Sequence, residues 1–131
     1  MANPAVVDIP CENLARERKA EEPSVLDLVH LSRQTYGDHA LEVELLTLFE
    51  RQAAHLAVRL EDPRRPGDST ARLELAHMLK GSARSVGAFA VAASAEAYEA
   101  ALRYDDVGEA QLCKALIAEI EVARAAIAAV L

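Results

Sequence analysis

The sequence predicts an all-α protein: an antiparallel up-down-up-down four-helix bundle with a short N-terminal lead helix. Three observations predict it. The 131 residues are 52% hydrophobic but only 4% aromatic, with no tryptophan, and much of the apolar content is alanine. That composition suits closely packed helices better than sheets. Glycine and proline number five each, too few for the turns of an all-β chain. Apolar residues recur every three or four positions in long segments joined by short connections, and short connections make consecutive helices antiparallel neighbours. The length suits one domain with a core that needs no staples.

Residues 1–23 are expected to form a flexible tail, because Pro4, Pro10 and Pro23 punctuate them and "ENLARERKAEE" is rich in charge. The bundle domain then covers residues 24–131. A lead helix is expected to start at Ser24, with Ser24 and Asp27 in the S-x-x-D spacing of a capping box, and to stop at Gly37. Asp38 caps the next helix, whose apolar stripe is Leu41, Leu45, Leu48, Phe49, Leu56 and Leu60. "DPRRPGD" breaks it. Ser69 or Thr70 starts a third helix that runs to about Val86, where Gly87 ends or kinks it. A fourth covers roughly Phe89 to Arg103. Asp106 and Glu109 carry the spacing of another cap, and a fifth helix follows with Leu112, Leu116, Ile120, Ala123, Ile127 and Val130 on its apolar face.

The net charge of −7 and pI near 5.1 argue against nucleic acid as a partner, since phosphate backbones bind basic faces. They do not suggest an anionic membrane surface either. No segment approaches 18 uncharged apolar residues, and no secretory leader is visible, so a cytoplasmic protein is expected. Cys11 and Cys113 fit no metal or redox spacing and are expected to be reduced thiols, Cys113 in the core or at its boundary. His30, His39 and His55 form no ligand spacing with one another or with His77 and are expected at the surface or boundary.

The informative stretch is "AHMLKGSARSVGA", residues 76–88. On a wheel of about 100° per residue, Leu75, Ala76, Leu79, Ala83 and Val86 fall nearly opposite His77, while Lys80, Gly81 and Arg84 lie within about 60° of it. Histidine, two cations and a glycine therefore share one outward face. An interior glycine costs roughly 1 kcal/mol against alanine, yet Gly81 stands at i+4, where a side chain would flank the imidazole. The gap leaves room for a small group or a partner's loop, and Lys80 and Arg84 offer charge to an anion. A neutral imidazole is a competent nucleophile. The plainer alternative is an ordinary surface histidine, with Gly81 serving close helix packing.

This stretch resembles the histidine-containing phosphotransfer (HPt) domain, whose motif is H-x-L-K-G followed by small residues and a second glycine. His77, Leu79, Lys80, Gly81, Ser82, Ala83, Gly87 and Ala88 match in order, and the resemblance extends over residues 24–131. It implies that His77 accepts a phosphoryl group, on the ring nitrogen farther from the backbone, from a phospho-aspartate of a response-regulator receiver domain, and passes it to another receiver. The partners are then receivers and a hybrid or other histidine kinase. On this resemblance the chain is expected to be a phosphocarrier with no kinase activity of its own and no cofactor, with Mg²⁺ expected on the receiver. Lys80 would screen the phosphoryl charge and Gly81 give clearance, with Arg84 and Ser82 in support. Where relatives often carry a polar residue that steadies the ring, this chain offers Glu96 and Glu99. A carboxylate there would hold the other ring nitrogen but repel a phosphoryl group, and whether either residue does so stays open.

Two other readings compete. A histidine-kinase dimerisation domain usually has an acidic residue directly after the histidine; here Met78 follows, and no glycine-rich phosphate loop exists. A helical adaptor that binds a receiver or kinase domain without carrying phosphate has no use for His77, Lys80 and Gly81 together. A monomer is expected, since nothing in the sequence signals an oligomer.

Overall fold

The computed structural model describes residues 25–104 and 107–131, and all regular structure among them is helical. The expected tail over residues 1–23, Ser24 and the Asp106 cap lie outside the described residues. Five helices follow in order: α1 (Leu28–Gln34), α2 (His39–Glu61), α3 (Ser69–Val86), α4 (Phe89–Tyr104) and α5 (Glu109–Val130).

The first helix starts later than expected. Asp27 is itself the cap: its carboxylate accepts from the His30 amide at 2.9 Å. The chain is extended there because the Asp27 amide donates to the Gly87 carbonyl at 2.9 Å and Leu26 is buried. After α1, the Thr35 hydroxyl donates back to the Leu31 carbonyl at 3.0 Å, and Tyr36 and Gly37 turn the chain through positive φ (54° and 77°). Asp38 caps α2 by accepting from the Leu41 amide at 3.1 Å, as expected.

The core face of α2 is Leu46, Phe49, Ala53, Leu56, Ala57 and Leu60. Leu41 and Leu48, expected in that stripe, are exposed. The buried series through Leu46 and Phe49 is the one that meets α3 and α5, and Leu48 lies about 200° round the helix from Leu46. At its C-terminus α2 is closed by a side chain from α3. Buried Arg72 donates through Nη2 to the Asp62 carbonyl at 2.6 Å, and through Nη1 to the Leu60 carbonyl at 3.5 Å and the Tyr98 hydroxyl at 3.1 Å. One guanidinium thus satisfies carbonyls that a helix end leaves without intrahelical partners. Nearby, Arg64 joins Glu109 and Ser69, tying the α2–α3 connection to the start of α5.

Gly87 ends α3 cleanly. It adopts φ +85°, and the Ala88 amide returns to the Ala83 carbonyl at 2.8 Å, a Schellman-type cap. A Cβ at this position would stand 2.6 Å from the Asp27 carbonyl oxygen. Both the left-handed backbone and the close approach of α1 therefore require glycine.

The packing forms a closed ring, α2 on α3, α3 on α4, α4 on α5 and α5 on α2, while α1 lies against α2 and α3. Leu79, Tyr98, Leu116, Ile120 and Ile127 are fully buried inside it, and Leu31 of α1 is fully buried as well. Each such aliphatic side chain contributes on the order of 1.5–3 kcal/mol. Val130, expected in the α5 stripe, is exposed near the helix end. No helix among the described residues is long and apolar enough to cross a membrane.

Candidate functional site

The wheel drawn for α3 holds. Ala76, Leu79, Ala83 and Val86 are buried and Leu75 is half-buried, while His77, Gly81 and Arg84 face outward. The His77 side chain is 69% exposed. It is nevertheless tethered: Nδ1 lies 3.0 Å from Oε2 of Glu99, which projects from α4 and is only 6% exposed. α3 and α4 are joined by the single pair Gly87–Ala88, so the tight turn at Gly87 sets the register that brings the two side chains together.

Glu99 gathers the whole cluster. Lys80 donates from Nζ to Oε1 at 2.8 Å, and Arg103, one turn further along α4, donates from Nη2 to Oε2 at 3.3 Å. The Lys80 hydrogen bond, assisted by that of His77, holds the Glu99 carboxyl below the usual carboxylate range although burial pulls the other way. An ionised carboxylate only accepts, so the imidazole donates from Nδ1. The neutral ring then keeps its lone pair on Nε2, the nitrogen turned toward solvent.

Because the folded-state pKa of Glu99 is depressed, its contribution to stability is complete above the ordinary glutamate range and lost as the pH falls through the folded value. Urea unfolding at a series of pH values should show wild type more stable than Glu99→Gln at pH 7. The margin should shrink as the pH falls below the ordinary glutamate range. A margin that does not change with pH would contradict the ionised cluster.

Glu96, the other candidate, does not serve the ring; it pairs with Arg84 at 3.1 Å, both side chains exposed. Ser82 is also apart from the cluster. It is half-buried on the α2 side, in a groove with Leu45, Leu48, Phe49 and Ser85. Gly81 meets open space: a Cβ there would have no other group within 4 Å. Packing among the described residues therefore does not require this glycine. Arg103 is the member of the cluster that sequence reading missed, although its i+4 spacing from Glu99 was a usable signal.

Of the other histidines, His39 and His55 are exposed. His30 is structural and half-buried: its Nε2–H donates to the Arg84 carbonyl at 2.9 Å, and its ring meets Phe89 edge-on at 5.0 Å. Cys113 is a free, half-buried thiol that donates to the Leu60 carbonyl at 3.6 Å.

A ring of helices presenting an outward imidazole, fixed in tautomer by a buried carboxylate and open on one flank, is a scaffold for histidine-based group transfer. Comparison with known families identifies the class: the Hpt domain model matches residues 44–130, and the chain belongs to that family. The match begins in α2 and takes in the His77 motif, α4 and all of α5. Hpt domains work in histidine phosphotransfer in two-component signalling, where they meet receiver domains and histidine kinases. No curated protein and no solved structure gives a match.

Proposed function

We propose that this chain is a phosphocarrier that relays a phosphoryl group between receiver-domain aspartates through His77. The observation that carries this reading is the Glu99–Nδ1 hydrogen bond on an exposed ring. It leaves Nε2 as the nucleophilic nitrogen and fixes the plane of the imidazole. In the accepting step the Nε2 lone pair attacks the phosphorus of an aspartyl phosphate. The N–P bond forms as the acyl-phosphate P–O bond breaks, and the aspartate leaves as a carboxylate. The reverse geometry delivers the group to a second receiver. Such transfer is mainly positioning and charge neutralisation. The receiver brings Mg²⁺ and its acidic pocket, and this chain brings the oriented nitrogen and needs no nucleotide or cofactor of its own.

In this reading Lys80 neutralises Glu99, so that a carboxylate is tolerated beside an incoming phosphoryl group. Gly81 keeps the flank of the ring clear, and Arg84 adds positive charge one turn further along the same face. The ring of neighbouring helices and the short connections support an up-down-up-down antiparallel arrangement, with α1 as the lead helix. A monomer working in the cytoplasm with receivers and a hybrid or other histidine kinase fits this role. A phosphate-free adaptor would gain nothing from an exposed histidine held by a buried carboxylate.

The reading is tested by incubating the chain with a phosphorylated receiver and Mg²⁺ and looking for acid-labile, alkali-stable label. Absence of label on the wild-type chain would end it. A second test separates the two roles of a glycine. Gly81→Gln should stabilise the helix by up to about 1 kcal/mol in urea unfolding, yet slow transfer about tenfold or more through misplacement of the incoming group. Unchanged transfer would remove the clearance argument.

A further inference from the structure

The two cations that meet Glu99 are held very differently. Lys80 is 16% exposed and its ammonium sits 2.8 Å from Oε1. Arg103 is 55% exposed and reaches Oε2, the oxygen that also takes His77 Nδ1, at the longer distance of 3.3 Å. Removing Lys80 from its partner would strand a buried carboxylate, which is costly. Releasing Arg103 breaks a partly exposed i+4 pair, of a kind that contributes little to stability.

Besides the clear flank at Gly81, a second open space beside the ring lies on the Arg103 side. A helical side chain leans back over the turn preceding it, so the imidazole stands above Leu73 and Glu74. Together with Met78, Glu99 and Arg103 these residues line a shallow cavity of about 310 Å³, and Lys80 is not part of its wall. The charged groups facing the ring are thus Glu74 and Glu99 against Lys80 and Arg103, with the Arg84–Glu96 pair further along α3 and α4.

We infer that Arg103, rather than Lys80, is the cation that meets the phosphoryl group on His77, an inference that rests on the phosphocarrier reading above. The phosphoryl group brings about −1.5 to −2 charges to this corner. Arg103 exchanges its contact with Oε2 for the phosphoryl oxygens, where the guanidinium fork makes charge-assisted, bidentate hydrogen bonds. Lys80 stays on Oε1 and keeps Glu99 neutralised. This division lets one carboxylate hold the ring without driving off the group the ring carries.

The full chain can be loaded with phosphoramidate, a small N–P donor: its P–N bond breaks, ammonia leaves, and the Nε2–P bond forms on His77. ³¹P NMR then follows the last protonation of the phosphoryl group with pH. A nearby cation favours the dianion, so Arg103→Gln should move the titration midpoint up by about half a pH unit or more, with Arg103→Lys between it and wild type. An Arg103 that only braces α4 would leave the midpoint where it is, and that result overturns the assignment. If wild type gains no signal, or His77→Gln gains as much, the phosphocarrier reading itself fails. A labelled wild type whose midpoint Arg103→Gln does not move sinks only the Arg103 assignment.

Discussion

His77→Gln loses phosphoryl acceptance, with label falling at least about a thousandfold to background, because the reaction is left without its nucleophile. The fold is expected to survive. The glutamine amide still offers a donor to Glu99 Oε2, and the position is exposed, so unfolding free energy should change by less than about 1 kcal/mol. The comparison is between label incorporated from a phosphorylated receiver and stability measured in urea on the same preparation. Label that persists in this variant would mean that another group accepts the phosphoryl, since His30 is committed to the Arg84 carbonyl and His39 and His55 lie outside the Glu99 cluster.

Arg72→Ala produces the largest loss of stability expected from a single change. The substitution empties a buried position and removes the donors to the Leu60 and Asp62 carbonyls and to the fully buried Tyr98 hydroxyl. The Leu60 carbonyl keeps its contact from Cys113 Sγ, but leaving the other groups without partners costs about 1–3 kcal/mol each where water cannot replace the donor. A total near 3 kcal/mol or more is expected in chemical denaturation. Arg72→Lys recovers only part of it, because a point ammonium cannot match the fork that serves several acceptors at once. Phosphoryl acceptance by the folded fraction should be unaffected, since Arg72 touches none of the groups around His77. A loss below about 1 kcal/mol would show that this guanidinium is not what closes the end of α2.

How far the sequence could be read depended on whether the relevant geometry was local. His77, Lys80, Gly81 and Arg84 belong to one helix, and the angles between them follow from helical periodicity alone, so their shared face was readable. Glu99 and Glu96 stand three residues apart on α4, and only the packing of α4 on α3 selects Glu99 for the ring and sends Glu96 to Arg84. Arg103 needed the same packing, although its spacing from Glu99 was a hint. On α2, leucines at 41, 45, 46, 48, 56 and 60 offer several overlapping stripes, and the neighbouring helices decide that Leu46 is inside and Leu48 outside. Arg72 follows the core spacing four residues before Ala76, but a charged residue there reads as surface until its acceptors are known. The start of α1 depended on a contact 60 residues away, the Asp27 amide on the Gly87 carbonyl.

In the proposed relay His77 holds a phosphoryl group in transit between receivers. The most direct test loads the chain from a phosphorylated receiver with Mg²⁺, removes the donor, and maps the phosphoryl group by mass spectrometry under alkaline conditions before and after adding a second, unphosphorylated receiver. The group is expected on the peptide containing His77 and should depart to the second receiver. A phosphoryl group on any other residue, or one on His77 that no receiver removes, would contradict it.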